Sequence, residues 1–210
     1  MQTFIWVAGA HFLALLSPGP DFFLIAKSAL ASGHRRAFQV CLGVALANGA
    51  LIAAAFTGFT WAAQTPWIAT LIQGCGGGYL LYMGIQCWRY AGATTLTAPS
   101  TETKSPSEAS TPHQGTPGLM AGLLSGLLNP KNALFYISLA AALGSPSLWQ
   151  QWGYGLWMFS IVLIWDCAMA LVIGHPRIIR QLGQRLTLIE RLCGAMLAIL
   201  GLGMWTALMI

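Results

Sequence analysis

Residues 16–22 read LSPGPDF and residues 128–132 read LNPKN, and both lie inside apolar stretches long enough to cross a membrane. Proline removes a backbone donor and clashes with the preceding helical turn, at about 3 kcal/mol in a helix interior, and glycine adds backbone freedom. The first motif therefore predicts a helix split in two, its second half beginning at Pro18 to Pro20, where first-turn N–H groups lack helical partners anyway. The second motif predicts the same, with Asn129 as the cap and Pro130 at the first helical position. Each interruption leaves a helix N-terminus, with free N–H donors and a partial positive charge, at depth in the bilayer. Such an end favours an anionic group.

The surrounding composition fits that reading. Of 210 residues 56% are apolar and 7% are charged, with nine Trp, and the mean hydropathy is +0.66. This places the chain in the membrane class. Six segments suffice to cross about 30 Å of hydrocarbon: 3–31, 37–63, 67–89, 117–142, 152–174 and 190–210. They leave no room for a soluble catalytic or nucleotide-binding domain. The remaining segment, 93–116, is rich in Ser, Thr and Pro and reads as a flexible polar tether. No Lys or Arg precedes the first apolar run, so no cleaved signal peptide is expected.

The net charge of +5 need not mean an acidic partner such as nucleic acid. Arg35 and Arg36 follow the first span, Arg89 ends the third, and Arg177, Arg180 and Arg185 lie between the fifth and sixth. The connections around 64–66 and 144–151 carry no Lys or Arg. Alternate loops are basic, which the positive-inside rule assigns to the cytoplasm, with the 93–116 loop on that side and both termini outside. Cys41, Cys75, Cys87, Cys167 and Cys193 include no C-x-x-C pair and read as small buried apolar residues. No cofactor or metal pattern is present.

The first and fourth spans resemble each other at a shift of 112 residues (130 − 18). Leu15, Leu16, Pro18, Phe23, Ile25 and Ala29 recur as Leu127, Leu128, Pro130, Phe135, Ile137 and Ala141. Three spans per half is an odd number, so the second half enters the membrane inverted. The expected fold is an all-α membrane protein of six transmembrane helices in two inverted three-helix repeats, residues 1–92 and 117–210 joined by 93–116, with the first and fourth helices broken at S-P-G-P-D and N-P-K. Paired interruptions in inverted halves point to a binding site near the midplane.

Charges inside spans cost about 2.5–3.5 kcal/mol each at a helix centre on insertion scales, so Asp21, Lys27, Lys131 and Asp166 should face protein or a watery cavity. Asp21 either complements only the dipole of its own half-helix or also binds a cationic group or proton. Lys131 sits in a first turn, where the dipole disfavours a cation, and therefore needs an anion: Asp21, Asp166 or a bound carboxylate. Asp166 is a pathway residue or half of a structural pair. Asn48 donates to a substrate or to a neighbouring helix. His11 relays protons or satisfies a local hydrogen bond, and Lys27 snorkels toward the cytoplasm. Gly118, Gly122 and Gly126 share one helix face and permit close packing. Glycine-rich faces also permit a homodimer.

In order and spacing, LSPGPDFFLIAKSALASGHRRA, LGVALANG, YLLYMGIQCWR and GLLNPKNALFY resemble the LysE/RhtB family of amino-acid exporters over essentially the whole chain. The family's first motif falls on Pro18, Gly19, Pro20 and Asp21, and its second on Asn129, Pro130 and Lys131. Ser17 stands where the family often has a smaller residue such as Gly. The resemblance implies export of amino acids or close derivatives across the inner membrane of a bacterium, driven by the proton gradient. Amino acid, protons and bilayer are the expected partners. In that setting Asp21 and Lys131 would form the centre of an alternating-access site, Lys131 and the half-helix ends meeting a carboxylate and Asp21 an ammonium.

Other classes fare worse. An ATP-driven pump lacks its G-x-x-x-x-G-K-[ST] loop, and an intramembrane enzyme lacks G-x-S-x-G and H-E-x-x-H. A passive channel or accessory membrane subunit is the remaining alternative.

Overall fold

The computed structural model describes residues 2–17, 19–92, 117–144, 146–173 and 176–209. Pro18 and the expected tether 93–116 lie outside the described residues, as do the side chains of Arg177, Arg180 and Arg185. The described residues are helical, without strands. In order the helices are α1 (Gln2–Leu16), α2 (Pro20–Ser32), α3 (His34–Ala62), α4 (Pro66–Arg89), α5 (Gly118–Leu127), α6 (Pro130–Leu143), α7 (Leu148–Val172) and α8 (Pro176–Met209).

Helix boundaries follow local chemistry. Gly19, in extended conformation, precedes Pro20 at the head of α2, and the axes of α1 and α2 bend by 54°. Asn129 caps α6, its side chain accepting from the Lys131 N–H at 3.1 Å, with Pro130 in the first turn. Pro66 opens α4, and a capping box of Ser147 and Gln150 opens α7.

Helices α3, α4, α7 and the Glu190–Met209 portion of α8 are long and apolar enough to cross a membrane, and α1 with α2 as one bent pair makes a fifth such span. The chain is a multi-pass membrane protein. The stretch expected as the fourth span, broken at N-P-K, runs as α5, of ten residues, and α6, of fourteen, neither long enough by itself to cross a membrane. Helix α8 departs from expectation in starting well before residue 190, so the basic stretch is helical rather than a loop. After Pro176 in its first turn no further proline interrupts it. Exposed Trp61, Trp67, Trp149 and Trp152 cluster at the end of α3 and the starts of α4 and α7, as an interfacial belt requires.

Small residues set the packing, because lipid tails compete with apolar side chains and leave close van der Waals contact as the main attraction. The Gly118, Gly122 and Gly126 face lies on α3, against Gln39, Val40 and Ala47. A Cβ on Gly122 would collide with the Val40 carbonyl, and one on Gly43 with the Leu119 carbonyl. Helices α4 and α8 approach as closely: a Cβ on Gly84 would stand 2.6 Å from the Gly194 carbonyl oxygen. These glycines are used within the chain, so a second copy would have to meet other faces. One apolar cluster joins Phe56, Leu80, Phe135, Met158 and Leu197, and another joins Ile25, Val40, Val44 and Val162.

Candidate functional site

The two interruptions meet. Asp21, in the first turn of α2, accepts three hydrogen bonds from the other half of the chain. Ser125 Oγ of α5 donates to Oδ1 at 2.6 Å, and Asn129 Nδ2 and Asn132 Nδ2 donate to Oδ2 at 2.9 and 2.8 Å. In return, Lys131 Nζ of α6 donates to the Ser17 carbonyl at 2.7 Å, and its side chain runs alongside Gly19. The contact resolves the problem that Lys131 posed in sequence. Its ammonium reaches the carbonyl just past the C-terminus of α1, where the helix dipole is negative. Lys131 and Asp21 are therefore close without forming an ion pair, each holding neutral partners across the junction.

Behind this junction lies a cavity of about 60 Å³, room for a few waters. It brings together His11, Gly19, Asp21, Asn48, Asn129, Lys131 and Asp166, all singled out from sequence, and adds Asn132 and Trp165. Pro20 and Pro130 instead line a neighbouring cleft. Pro18 lies outside the described residues.

The polar groups of the cavity differ in how fully they are satisfied. Tyr136 Oη donates to Asn48 Oδ1 at 2.8 Å, Asn48 Nδ2 donates to the Val44 carbonyl at 2.8 Å, and His11 Nε2 lies 3.4 Å from Tyr136 Oη. Asn48 thus bonds protein neighbours, and His11 is linked to a tyrosine far along the chain rather than to a local group. Asp166 Oδ2 and His11 Nδ1 are buried with no hydrogen-bond partner. A buried unpaired polar atom costs about 1–3 kcal/mol, so these two atoms mark where the cavity is least complete. Among the described residues no cluster of His, Cys, Asp or Glu could hold a metal ion.

Ser125, Asn132 and Tyr136 were not among the residues drawn from sequence. Ser125 interrupts the apolar run LLSGLL, Asn132 follows N-P-K directly, and Tyr136 stands one turn beyond Asn132. Those are the signals that could have found them.

Fold and site define a class: a multi-pass helical membrane protein in which two helix interruptions lock around a polar cavity. The chain belongs to the LysE family, LysE type translocator, whose profile matches residues 2–207, and so to a family of transporters rather than enzymes. It is 28% identical over 209 residues to the threonine efflux protein of Salmonella typhimurium, covering 96% of this chain and 97% of that one. It is 27% identical over 208 residues to the threonine efflux protein of Escherichia coli K12, with 96% and 97% covered. Similarity to the leucine efflux protein of Klebsiella pneumoniae is 31% over 134 residues, covering 63% of this chain and 58% of that protein. No solved structure matches.

Proposed function

We propose that this protein exports neutral amino acids, threonine foremost, from the bacterial cytoplasm across the inner membrane in exchange for protons. Its organisation in this reading is two inverted three-helix repeats, 1–92 and 117–210, with α1–α2 and α5–α6 as the broken first spans of each. Contacts of α3 with α7 and of α4 with α8 support it, since these are the pairs that an in-plane pseudo-two-fold would bring together. The basic stretches support an orientation with both termini outside and 93–116 in the cytoplasm.

One observation carries the assignment: a single polar cavity is lined by Lys131, whose ammonium is held by the neutral Ser17 carbonyl, and by Asp166, whose buried Oδ2 has no protein partner. A zwitterion supplies an anion for the first and a cation for the second. Its carboxylate meets Lys131 and the N-terminus of α6, and its ammonium meets Asp166 Oδ2. Asp21, first expected to bind the ammonium, already accepts three hydrogen bonds, which favours Asp166 for that role. A proton on Asp166 would compete with the ammonium, and this competition couples proton movement inward to substrate movement outward. The closeness of the chain to two threonine efflux proteins over nearly full length supports the substrate class.

Efflux from cells loaded with dipeptides tests the reading. Cells expressing the protein should release threonine faster than control cells, a protonophore should abolish the difference, and Asp166→Asn should remove it at unchanged membrane abundance. Release of no amino acid above control across a neutral and basic panel would refute the assignment.

A further inference from the structure

A second opening lies on the other side of the Asp21 junction. Between α2 and α5, over the start of α3, a cleft of about 580 Å³ is lined by Leu24, Lys27, Ser28, Arg36, Ala121 and Ser125. That volume is typical of small-molecule sites. The cleft runs from the Arg36 end, which the charge pattern assigns to the cytoplasm, to Pro20 and Asn129 at depth.

The cleft and the central cavity share Asn129 and are otherwise divided by one layer of side chains. Ser125 faces the cleft, Asp21 faces the cavity, and the hydrogen bond between them at 2.6 Å is the division. Asn129, which donates to the same carboxylate at 2.9 Å, completes it. The lining is mostly apolar, and Lys27, Ser28, Ser125 and Asn129 are among the polar groups set into it. A small solute with both an apolar part and a negative group suits it.

We infer that the α2–α5 cleft is the cytoplasmic loading site for the substrate, taking its carboxylate on Lys27, and that the Ser125–Asp21–Asn129 cluster is the gate between it and the central cavity. The inference rests on the exporter reading for the identity of the solute, while the gate stands on geometry alone. Lys27 is exposed at the surface of α2, where the sequence alone gave it no role beyond reaching polar surroundings. The gate is poised to open, because Asp21 has neutral donors only and a passing ammonium can replace them one at a time.

Cysteine accessibility in inside-out vesicles carrying the full chain tests both parts, with labelling by a membrane-impermeant maleimide read against the parent and its five native cysteines. Ser28→Cys should react from the cytoplasmic face, and threonine should slow the reaction whereas threonine methyl ester, which lacks the carboxylate, should not. Adding Lys27→Gln should abolish that protection. Ala14→Cys, in the central cavity, should react slowly, and adding Ser125→Ala or Asn129→Ala should accelerate it roughly tenfold, the effect of losing one hydrogen bond to a charged acceptor. Protection of Ser28→Cys by neither compound, or equally by both, overturns the loading site. Equal reaction of Ala14→Cys with and without the gate substitutions overturns the gate. Failure of the parent to export amino acids in the dipeptide assay is a separate result, since labelling needs no transport.

Discussion

At the scale of single residues, three ionisable side chains in apolar helices meet three different fates. Asp21 is held by neutral donors from the opposite half of the chain, Lys131 by a carbonyl at a helix end, and Asp166 keeps an oxygen without a partner. The difference predicts opposite consequences for removing them. Removing one member of a buried charge pair costs about 3–5 kcal/mol, because the other is left exposed to a low dielectric. Asp166 Oδ2 has no such partner, so Asp166→Leu should melt in detergent at or above the parent temperature while export is lost. A fall of several kcal/mol would instead mark Asp166 as part of a structural pair.

At the scale of elements, proline positions break the helices and glycine faces join them. Gly43 faces the Leu119 carbonyl so closely that a methyl group cannot fit without moving α5 away from α3, whereas nothing approaches a Cβ built on Gly58 of the same helix. Overpacking of this kind costs about 1–3 kcal/mol or more. Gly43→Ala should therefore lower the melting temperature and membrane abundance, and Gly58→Ala should leave both unchanged. Equal behaviour of the two variants would contradict the packing described for α3 and α5. Much of this level was readable in sequence: Pro20, Pro130 and the Gly118, Gly122, Gly126 spacing each have a local physical meaning that does not depend on the rest of the fold. The cavity-lining charges were readable for a similar reason, since a bare Asp or Lys among apolar residues demands a partner. Ser125, Asn132 and Tyr136 were harder, because hydroxyl and amide groups in a helix can be satisfied locally. What gives them their roles is contact across more than 100 residues: Ser125 and Asn132 with Asp21 at separations of 104 and 111, and Tyr136 with His11 at 125. The helical start of α8 through the basic stretch was missed because positive residues before an apolar run read equally well as a loop or as a helix entering the membrane.

At the scale of the whole molecule, the two halves hold one another shut through Asp21 and Lys131, each planted on one interruption and bonded to the other. Moving one half relative to the other must break those bonds together, which makes the junction a two-state element of the kind that alternating access needs. The junction separates a central cavity of about 60 Å³ from the larger cleft on the side that the arginines mark. Proton coupling, in this account, resides in Asp166 rather than in the junction. The most direct measurement is threonine movement in proteoliposomes containing the purified protein, compared for the parent and Asp166→Asn under an imposed pH gradient and in counterflow without one. Gradient-driven accumulation is expected of the parent alone, with counterflow weaker in Asp166→Asn because the same carboxylate holds the substrate's ammonium. Undiminished gradient-driven accumulation by Asp166→Asn would contradict it.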